Sequence, residues 1–349
     1  MIDPNVMQII ELRNRNDCRA TLSALGAGLR SLCVPSDDGE LVDVVLGLPG
    51  EQAYTMDDKY IGVTVGRYCG RIAGGELSLP RGDVRLDRNQ PPNHIHGGES
   101  GLHQRTWTVS EAALQSVEFS CTSPDRESGY PGNLDVWVRY TLRENNALQI
   151  DYRAVSDADT VINLTNHSYF NLGGHDSGDA LSHHLSIRSD RIAELDGESI
   201  PTGRFLSVQD TPFDFRAPAV IEEKIGLEHP QLALAGGFDH GWLLDGGEGQ
   251  LDEPVAILYS PGTGIFMRVS TDQSSVQFYS ASSLPGNWAG KDGAAYGAHQ
   301  GLCLETQHLP NSPNEPSFPT TMLRAGDTFL SRTVYEFGTG MPGEWATEA

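Results

Sequence analysis

Glu305 is the residue whose surroundings most clearly suggest chemistry. It lies in the segment GLCLETQ (301–307), where apolar residues flank a single acidic side chain. A carboxylate in an apolar strand is costly to bury unless it is paired or protonated. Burial also raises the pKa of a carboxyl group, which suits a general base. Glu305 is therefore a candidate base, and the structural alternative is a core glutamate paired with an arginine.

His167 is a second candidate and lies in the segment NLTNHSYFNL (163–172). Hydrogen-bonding groups are crowded here at the end of a predicted strand, with aromatic residues beside them. Two structural interpretations fit the same residues: a core histidine with satisfied hydrogen bonds, or asparagines that cap turns. The segment by itself leaves catalysis and both alternatives open.

The segment PNHIHGG (92–98) contains two histidines, His94 and His96, separated by one residue. In a strand this spacing would place both imidazoles on one face, where they could chelate zinc. A metal site would need a third ligand, and none is obvious in the sequence. The Gly97-Gly98 pair would let another backbone segment approach closely, which suits a ligand pocket.

Four more residues are candidates for ligand binding: Asp239, Gln277, Tyr279 and Arg71. Gln277 and Tyr279 alternate in the segment VQFY, so a strand would present an amide and an aromatic ring on one face. Arg71 precedes an isoleucine and can point inward, where its guanidinium would donate hydrogen bonds to hydroxyl or carboxylate oxygens. Arg67, in the same glycine-rich turn, is expected to serve structure.

The sequence lacks the motifs of several common enzyme classes. The chain has no GxSxG elbow, no GxxxxGK[ST] phosphate loop and no nicotinamide-binding fingerprint. A Schiff-base enzyme needs a buried, activated lysine. The three lysines, Lys59, Lys224 and Lys291, lie beside acidic residues or glycine, so we expect them at the solvated surface.

The composition argues against nucleic-acid and membrane partners and favours a reducing compartment. The 349 residues carry a formal net charge of −23, whereas nucleic acids and anionic membranes attract clustered lysine and arginine. The five cysteines are scattered without a CxxC pair, which predicts a reducing cytoplasm rather than disulfides or zinc-thiolate sites. No signal peptide is apparent, and no apolar run approaches the ~18 residues of a membrane helix.

The pattern of apolar residues predicts an all-β protein. Residues 134–142 and 147–155 alternate apolar and polar side chains around a turn-like Glu-Asn-Asn, as in a hairpin. The best helical window is short, 219–227. We therefore predict one large antiparallel β-sandwich domain over 1–349, with few short helices and a frayed tail over 338–349. Further predicted strands are 25–34, 41–47, 105–111, 115–121, 160–165, 184–188, 254–260, 265–271, 275–281, 301–307 and 328–337.

Taken together and in order, these segments resemble the aldose 1-epimerase (galactose mutarotase) family. The resemblance covers about residues 20–337, and TNHSYFNL with LETQHLPNSPN is its most specific combination. Its segments are GRYCGRIAGG (66–75), PNHIHGG (92–98), GLHQRTW (101–107), NLTNHSYFNLGG (163–174), IPTGRF (200–205), TPFDFR (211–216), FDHGW (238–242), VQFYS (276–280) and CLETQHLPNSPN (303–314).

The resemblance implies a single β-supersandwich with its site in an open cleft, and the conversion of one anomer of a free aldose into the other. It implies Glu305 as general base and His167 as general acid, with no cofactor and no metal. A neighbouring carboxylate would favour the protonated histidine that this role needs. Arg71 and His96 would hold sugar hydroxyls or assist at the ring oxygen, and other hydroxyls would be bound by Asp239 and Gln277. The expected assembly is a monomer or a homodimer.

The chain departs from the family pattern around the predicted cleft, which leaves the preferred sugar open. Gly70 stands where the family usually has asparagine, and Ser280-Ala281-Ser282 replaces Thr-Gly-Asn. Two alternatives remain. A hexose-6-phosphate 1-epimerase would need a basic cluster for phosphate, for which the chain offers Arg71, Arg67 and Lys291. A sugar-binding module without activity would be expected to lack the base or the acid.

Overall fold

The computed structural model describes residues 8–80, 82–244, 251 and 253–345. Strands make up most of the secondary structure, which confirms the predicted all-β class. The strands are β1 (Ile9–Arg13), β2 (Arg19–Ser23), β3 (Gly28–Pro35), β4 (Leu41–Asp43), β5 (Thr64–Val65), β6 (Arg71–Ile72), β7 (Glu76–Leu79), β8 (Gly82–Arg85), β9 (His94–Ile95), β10 (Thr108–Ala112), β11 (Ser116–Ser123), β12 (Leu134–Leu142), β13 (Ala147–Ser156), β14 (Thr160–Val161), β15 (Thr165–Asn166), β16 (His184–Ile187), β17 (Arg191–Leu195), β18 (Pro201–Ser207), β19 (Ala219–Val220), β20 (Asp239–Leu243), β21 (Ala256–Tyr259), β22 (Ile265–Thr271), β23 (Ser275–Tyr279), β24 (Trp288–Ala289), β25 (Ala295–Tyr296), β26 (Cys303–Gln307), β27 (Met322–Leu323) and β28 (Thr328–Thr339).

The α-helices of the described residues are short: α1 (Glu51–Tyr54), α2 (Ile221–Ile225) and α3 (Pro230–Ala235). Helix α3 begins with proline in its first turn and ends at Gly236, whose φ of 68° suits a residue without a Cβ. The predicted helix over 219–227 is shorter in the structure, because residues 219–220 form strand β19. Within the described residues, no helix combines the length and apolar character needed to cross a bilayer.

The larger sheet has nine strands in the order β10-β11-β12-β13-β28-β22-β21-β16-β19. Its hairpin β12–β13 forms as predicted, with Leu142 opposite Leu148 next to the turn. Along β12 every second residue from Leu134 to Leu142 is buried, and the residues between them, Trp137 included, are more exposed. This alternation fits a sheet with one face against a core and one toward water.

The smaller sheet places the candidate residues and has the order β18-β17-β20-β23-β26. Aromatic side chains of β20 and β23, with Trp242 and Phe278 fully buried, join the residues of the nine-stranded sheet in one hydrophobic core. All five residues of β26 are buried. Since the side chains of a strand alternate, Leu304 and Thr306 face the core, while Cys303, Glu305 and Gln307 share the opposite face.

The structure departs from the sequence prediction at both ends of the chain and in the smaller sheet. Strands β1, β2, β17, β18 and β20 were not predicted; β18, for example, is mostly polar and only partly buried, so it lacks a clear apolar alternation. Of the predicted frayed tail over 338–349, residues 346–349 lie outside the described residues; in the described part, β28 runs to Thr339, and Trp345 stacks against His184 and donates to Ser186 Oγ at 3.2 Å.

Candidate active site

A cleft of about 390 Å³ opens on the face of the smaller sheet that carries Glu305. All seven site residues proposed from the sequence line this cleft. Strand β26 contributes Glu305, and strands β20 and β23 contribute the facing polar groups. The lining residues are Asp58, Lys59, Tyr60, Gly70, Arg71, Gln90, Ile95, His96, His167, Tyr169, Ser199, Leu234, Ala235, Asp239, Gln277, Tyr279, Ser282, Ser283, Glu305, Gln307 and Pro310.

His167 is held in place by its own backbone and by the asparagines around it. Its backbone N–H donates to Val63 O at 3.0 Å, and its carbonyl accepts from Gly62 at 2.9 Å. The amide of Asn166 donates to Gly62 O at 3.0 Å and to Tyr140 Oη at 3.2 Å. Asn166 thus bonds to a neighbouring backbone segment and to a buried tyrosine rather than capping a turn, and these bonds hold the strand that leads into His167.

The two candidate catalytic groups meet at the floor of the cleft, with His167 Nε2 3.7 Å from Glu305 Oε1. Both side chains are almost fully buried, at 5% and 3% exposure. Glu305 has no arginine partner among its ion pairs, so the alternative of a structural Glu–Arg pair is not what the described residues show. A carboxyl group and an imidazole at this separation can exchange protons with one small bound molecule.

Burial shifts the pKa values of the two groups in opposite directions. It lowers the pKa of His167 to about 4 and raises the pKa of Glu305 well above its usual value, with the Asp239 carboxylate adding to the increase. Burial therefore favours the uncharged forms of both groups, in which the proton of the pair resides on Glu305. Desolvation thus opposes the protonated form of His167, which the neighbouring carboxylate was expected to favour.

His96 approaches the cleft from another direction. Its Nδ1 accepts a hydrogen bond from the Gly70 backbone N–H at 3.2 Å, so the neutral ring carries its proton on Nε2. Burial lowers the pKa of His96 well below its usual value, and nearby His167 and Arg71 contribute. The Gly97 backbone packs so closely that an added Cβ would lie 1.8 Å from Gly66 O, as predicted for the glycine pair.

Asp239, Gln277 and Arg71 form a connected polar wall. The Gln277 amide donates to Asp239 Oδ1 at 2.7 Å, and Arg71 Nη1 lies 3.8 Å from Asp239 Oδ2. Arg71 Nε also donates to Gln90 Oε1 at 2.7 Å. The register of β23 and β26 places Gln277 directly opposite Glu305. The Gln277 Oε1 atom is buried without a hydrogen-bond partner, so a small rotation of the side chain would be needed for it to accept from a bound hydroxyl.

Comparison with known proteins identifies the fold and its relatives. Residues 8–336 match the aldose 1-epimerase family. The chain belongs to that family. It is 39% identical to the galactose mutarotase of Bos taurus over 91% of each chain, and 34% identical to the aldose 1-epimerase of Escherichia coli over 96% of each. An aldose epimerase homologue from C. elegans, 30% identical, superposes with a TM-score of 0.88 over 96% of this chain and 100% of its own.

The two histidines of the HIHGG segment do not form the zinc pair that their spacing suggests. His94 is fully buried, with Nδ1 2.8 Å from Asp87 Oδ1 and Nε2 2.7 Å from Tyr130 Oη. His96 instead has a φ of 53°, which breaks the strand alternation after residue 95. One histidine of this family segment therefore supports the core, and the other lines the cleft.

The cations near the cleft differ from the predicted set. Arg67 is structural, as expected: its guanidinium is buried and donates to Ser123 and to the carbonyls of Pro124 and Pro131. Lys291 was expected at the surface, but its side chain is only 12% exposed and pairs with Asp43. Lys59 was also expected there, yet it lines the cleft and lies 3.4 Å from Asp58.

Sequence reasoning missed several residues that line the cleft. Gln307 follows Glu305 by two residues on β26, so strand alternation could have identified it. Tyr60 could not have been found in this way, because it lies in a loop with a φ of 59°. Its ring centroid is 4.5 Å from that of His96 and 6.0 Å from that of His167. Tyr60 thus forms an aromatic wall beside both imidazoles.

Proposed function

We propose that this protein interconverts the α and β anomers of a free aldose such as galactose or glucose, with Glu305 as general base and His167 as general acid. The observation that carries the proposal is the buried pair at the cleft floor, 3.7 Å apart, with polar side chains around it. The relatives from Bos taurus and Escherichia coli are a galactose mutarotase and an aldose 1-epimerase, and this similarity supports the same reaction.

Ring opening requires one proton to leave the sugar and one to arrive. Glu305 in its ionised form takes the proton of the anomeric hydroxyl, and His167 in its protonated form gives a proton to the ring oxygen. The C1–O5 bond then breaks, C1 becomes a carbonyl carbon, and rotation about C1–C2 exposes its other face. Closure reverses both proton transfers, so the enzyme ends with the proton count it had at the start.

The single proton of the resting pair is sufficient for this cycle. Burial favours its residence on Glu305 in the free protein, and it must move to His167 for ring opening. Sugar hydroxyls that donate hydrogen bonds to the Glu305 carboxylate stabilise its charged form, because hydrogen bonding to an ion favours ionisation. Substrate binding thereby promotes the protonation state that the reaction uses.

The remaining ring atoms must be held while C1 turns. Arg71 and Asp239 form one polar wall, where a guanidinium and a carboxylate can donate to and accept from vicinal hydroxyls. After a small rotation of its side chain, Gln277 Oε1 accepts a further hydroxyl, and the neutral His96 donates from Nε2. The Tyr279 ring offers an apolar plane for the C–H face of the sugar.

The direct test follows the optical rotation of freshly dissolved α-D-galactose and α-D-glucose with and without the protein. We expect faster approach to the same final rotation for at least one of these sugars. Glucose 6-phosphate serves as the comparison substrate, because the cleft cations Lys59 and Arg71 lie beside the carboxylates of Asp58 and Asp239. Acceleration with the phosphorylated sugar alone would contradict the proposal of a free aldose, and no acceleration with any sugar would contradict mutarotation.

The dependence of kcat/KM on pH is expected to be bell-shaped, with a broad plateau around neutral pH. Activity needs one proton on the pair, so it falls at low pH as His167 gains a second proton, near its pKa of about 4. It falls at high pH as Glu305 loses the shared proton, through a pKa raised well above the usual carboxyl value. Initial rates corrected for spontaneous mutarotation measure this profile. An acid limb near pH 6.5 would show that His167 titrates like an exposed imidazole.

A further inference from the structure

The catalytic pair has a third neighbour that the reaction does not use. Cys303 Sγ lies 3.7 Å from His167 Nδ1, on the side of the ring away from the Nε2–Glu305 contact. One ligand atom from each of His167, Cys303 and Glu305 can be chosen so that all three lie within 4.8 Å of one another. Among the described residues, this is the one group of three His, Cys, Asp or Glu side chains whose ligand atoms come this close together. All three side chains are buried.

We propose that His167, Cys303 and Glu305 form a binding site for a thiophilic divalent cation such as Zn²⁺, and that occupation of this site blocks the cleft to sugar. The binding part of the proposal is independent of the reaction. The inhibition part rests on the function proposed above.

The three ligand atoms lie within 4.8 Å of one another, so a side-chain rotation is needed to reach the spacing that zinc requires. With Zn–S of about 2.3 Å and Zn–N and Zn–O of about 2.0–2.2 Å, the ligand atoms of a tetrahedral site lie roughly 3.3–3.6 Å apart. The contacts of 3.7 Å on either side of the imidazole are near this range. They use different ring nitrogens, so rotation of the Cys303 or His167 side chain must bring one nitrogen to both partners. Because His167 and Glu305 line the cleft, a fourth position on that side could take a water, as in zinc sites that retain one.

Charge balance favours a dication at this buried position. A thiol, a carboxylic acid and a neutral imidazole together carry no charge, and each would be costly to ionise alone. When Zn²⁺ binds, the Cys303 thiol and the Glu305 carboxyl group each release one proton to solvent, and the imidazole keeps its neutral form. The occupied site is therefore also neutral, because two protons are exchanged for one dication.

Occupation would remove both catalytic groups from the reaction. The ion would use the Glu305 oxygen that takes the anomeric proton, and it would hold the His167 ring by a lone pair. A sugar could place its anomeric hydroxyl at Glu305 and its ring oxygen at His167 only by displacing the ion. Inhibition should therefore be competitive with respect to the aldose, and a high sugar concentration should weaken metal binding by the same factor.

Cadmium binding and zinc inhibition, each measured on wild type, C303S and C33S, test the proposal. Cys33 is a matched control because it is half-buried on β3, with its Sγ near Ser31. We expect Cd²⁺ to produce an ultraviolet thiolate-to-metal charge-transfer band in wild type and C33S that is lost in C303S. We expect C303S to raise the inhibition constant for Zn²⁺ by at least about tenfold, and C33S to leave it unchanged.

The outcomes separate the metal site from the proposed reaction. A Cys303-dependent cadmium band in a protein without mutarotase activity would support the site and contradict the function. Equal zinc inhibition of C303S and wild type, or the absence of a band and of inhibition, would overturn the site. If C303S does not fold, zinc-edge X-ray absorption of the wild-type complex decides: one sulfur ligand with nitrogen and oxygen is expected, and a shell without sulfur overturns the proposal.

Discussion

Replacement of Glu305 by glutamine should lower kcat/KM for mutarotation by about 10²–10⁴-fold, the usual contribution of one positioned proton transfer. Glutamine preserves the size of the side chain on β26 and can still accept a hydrogen bond from a sugar hydroxyl. It cannot take the anomeric proton. Because the side chain is 3% exposed and lies at the cleft floor, water has little room to replace the lost base. Polarimetry with α-D-galactose, corrected for the spontaneous rate, measures the loss.

The same loss is expected for H167N, which removes the acid at the other end of the proton path. The double variant should lose little more than either single variant, since the two groups serve one proton transfer sequence and their effects are not additive. E40Q is a suitable control, because it makes the same chemical change at an exposed position. E305Q activity within a fewfold of wild type, in a variant that remains folded, would remove Glu305 from the role of base.

Acid should destabilise the folded protein by several kcal/mol between pH 7.5 and pH 5. Burial lowers the pKa of His103, His167 and His183 to about 4, while the unfolded chain has histidine pKa values of about 6.5. Between these values the unfolded state binds more protons, so stability is present above pH 6.5 and is lost as pH falls toward 4. Each such histidine contributes about 2 kcal/mol over this interval.

Two other histidines act in the same direction, and two buried carboxyl groups oppose them. Burial lowers the pKa of His240 to about 3 and that of His96 well below its usual value. Burial raises the folded pKa of Glu305 and of Asp57, so their contributions are present at low pH and are lost as pH rises through those values. The five histidines outnumber the two carboxyl groups, and the net change follows the histidines.

Urea unfolding at pH 7.5, 6.0 and 5.0 measures the destabilisation. H183Q tests the cause away from the cleft: His183 Nε2 accepts from the Leu172 N–H at 3.0 Å, and glutamine offers an acceptor without a titrating ring. The difference in unfolding free energy between pH 7.5 and pH 5 should be about 2 kcal/mol smaller in this variant. Equal stability of the wild type at the two pH values would contradict the neutral state of the buried histidines.

The sequence was sufficient for the features that depend on local pattern. Alternating residues specified the hairpin β12–β13, with the first strand starting and ending where predicted. The order of the specific segments predicted the aldose 1-epimerase family and the β-rich fold, and the comparisons confirm both predictions. Glu305 could be identified as a candidate from the sequence because it is the one acidic residue in an apolar strand. A carboxylate is costly to bury there, and the neighbouring residues already show this.

The tertiary structure alone decided which of several similar residues reach the cleft and in which protonation state. His94 and His96 are equivalent in sequence, but the positive φ at residue 96 directs one toward Tyr130 and the other toward the cleft. Lys291 lies in a polar stretch, yet it is paired with Asp43 far away in the chain. The neutral imidazole of His167 and its contact with Cys303 likewise arise from packing. These properties depend on desolvation and on contacts between distant segments, and neither is encoded in the neighbouring residues.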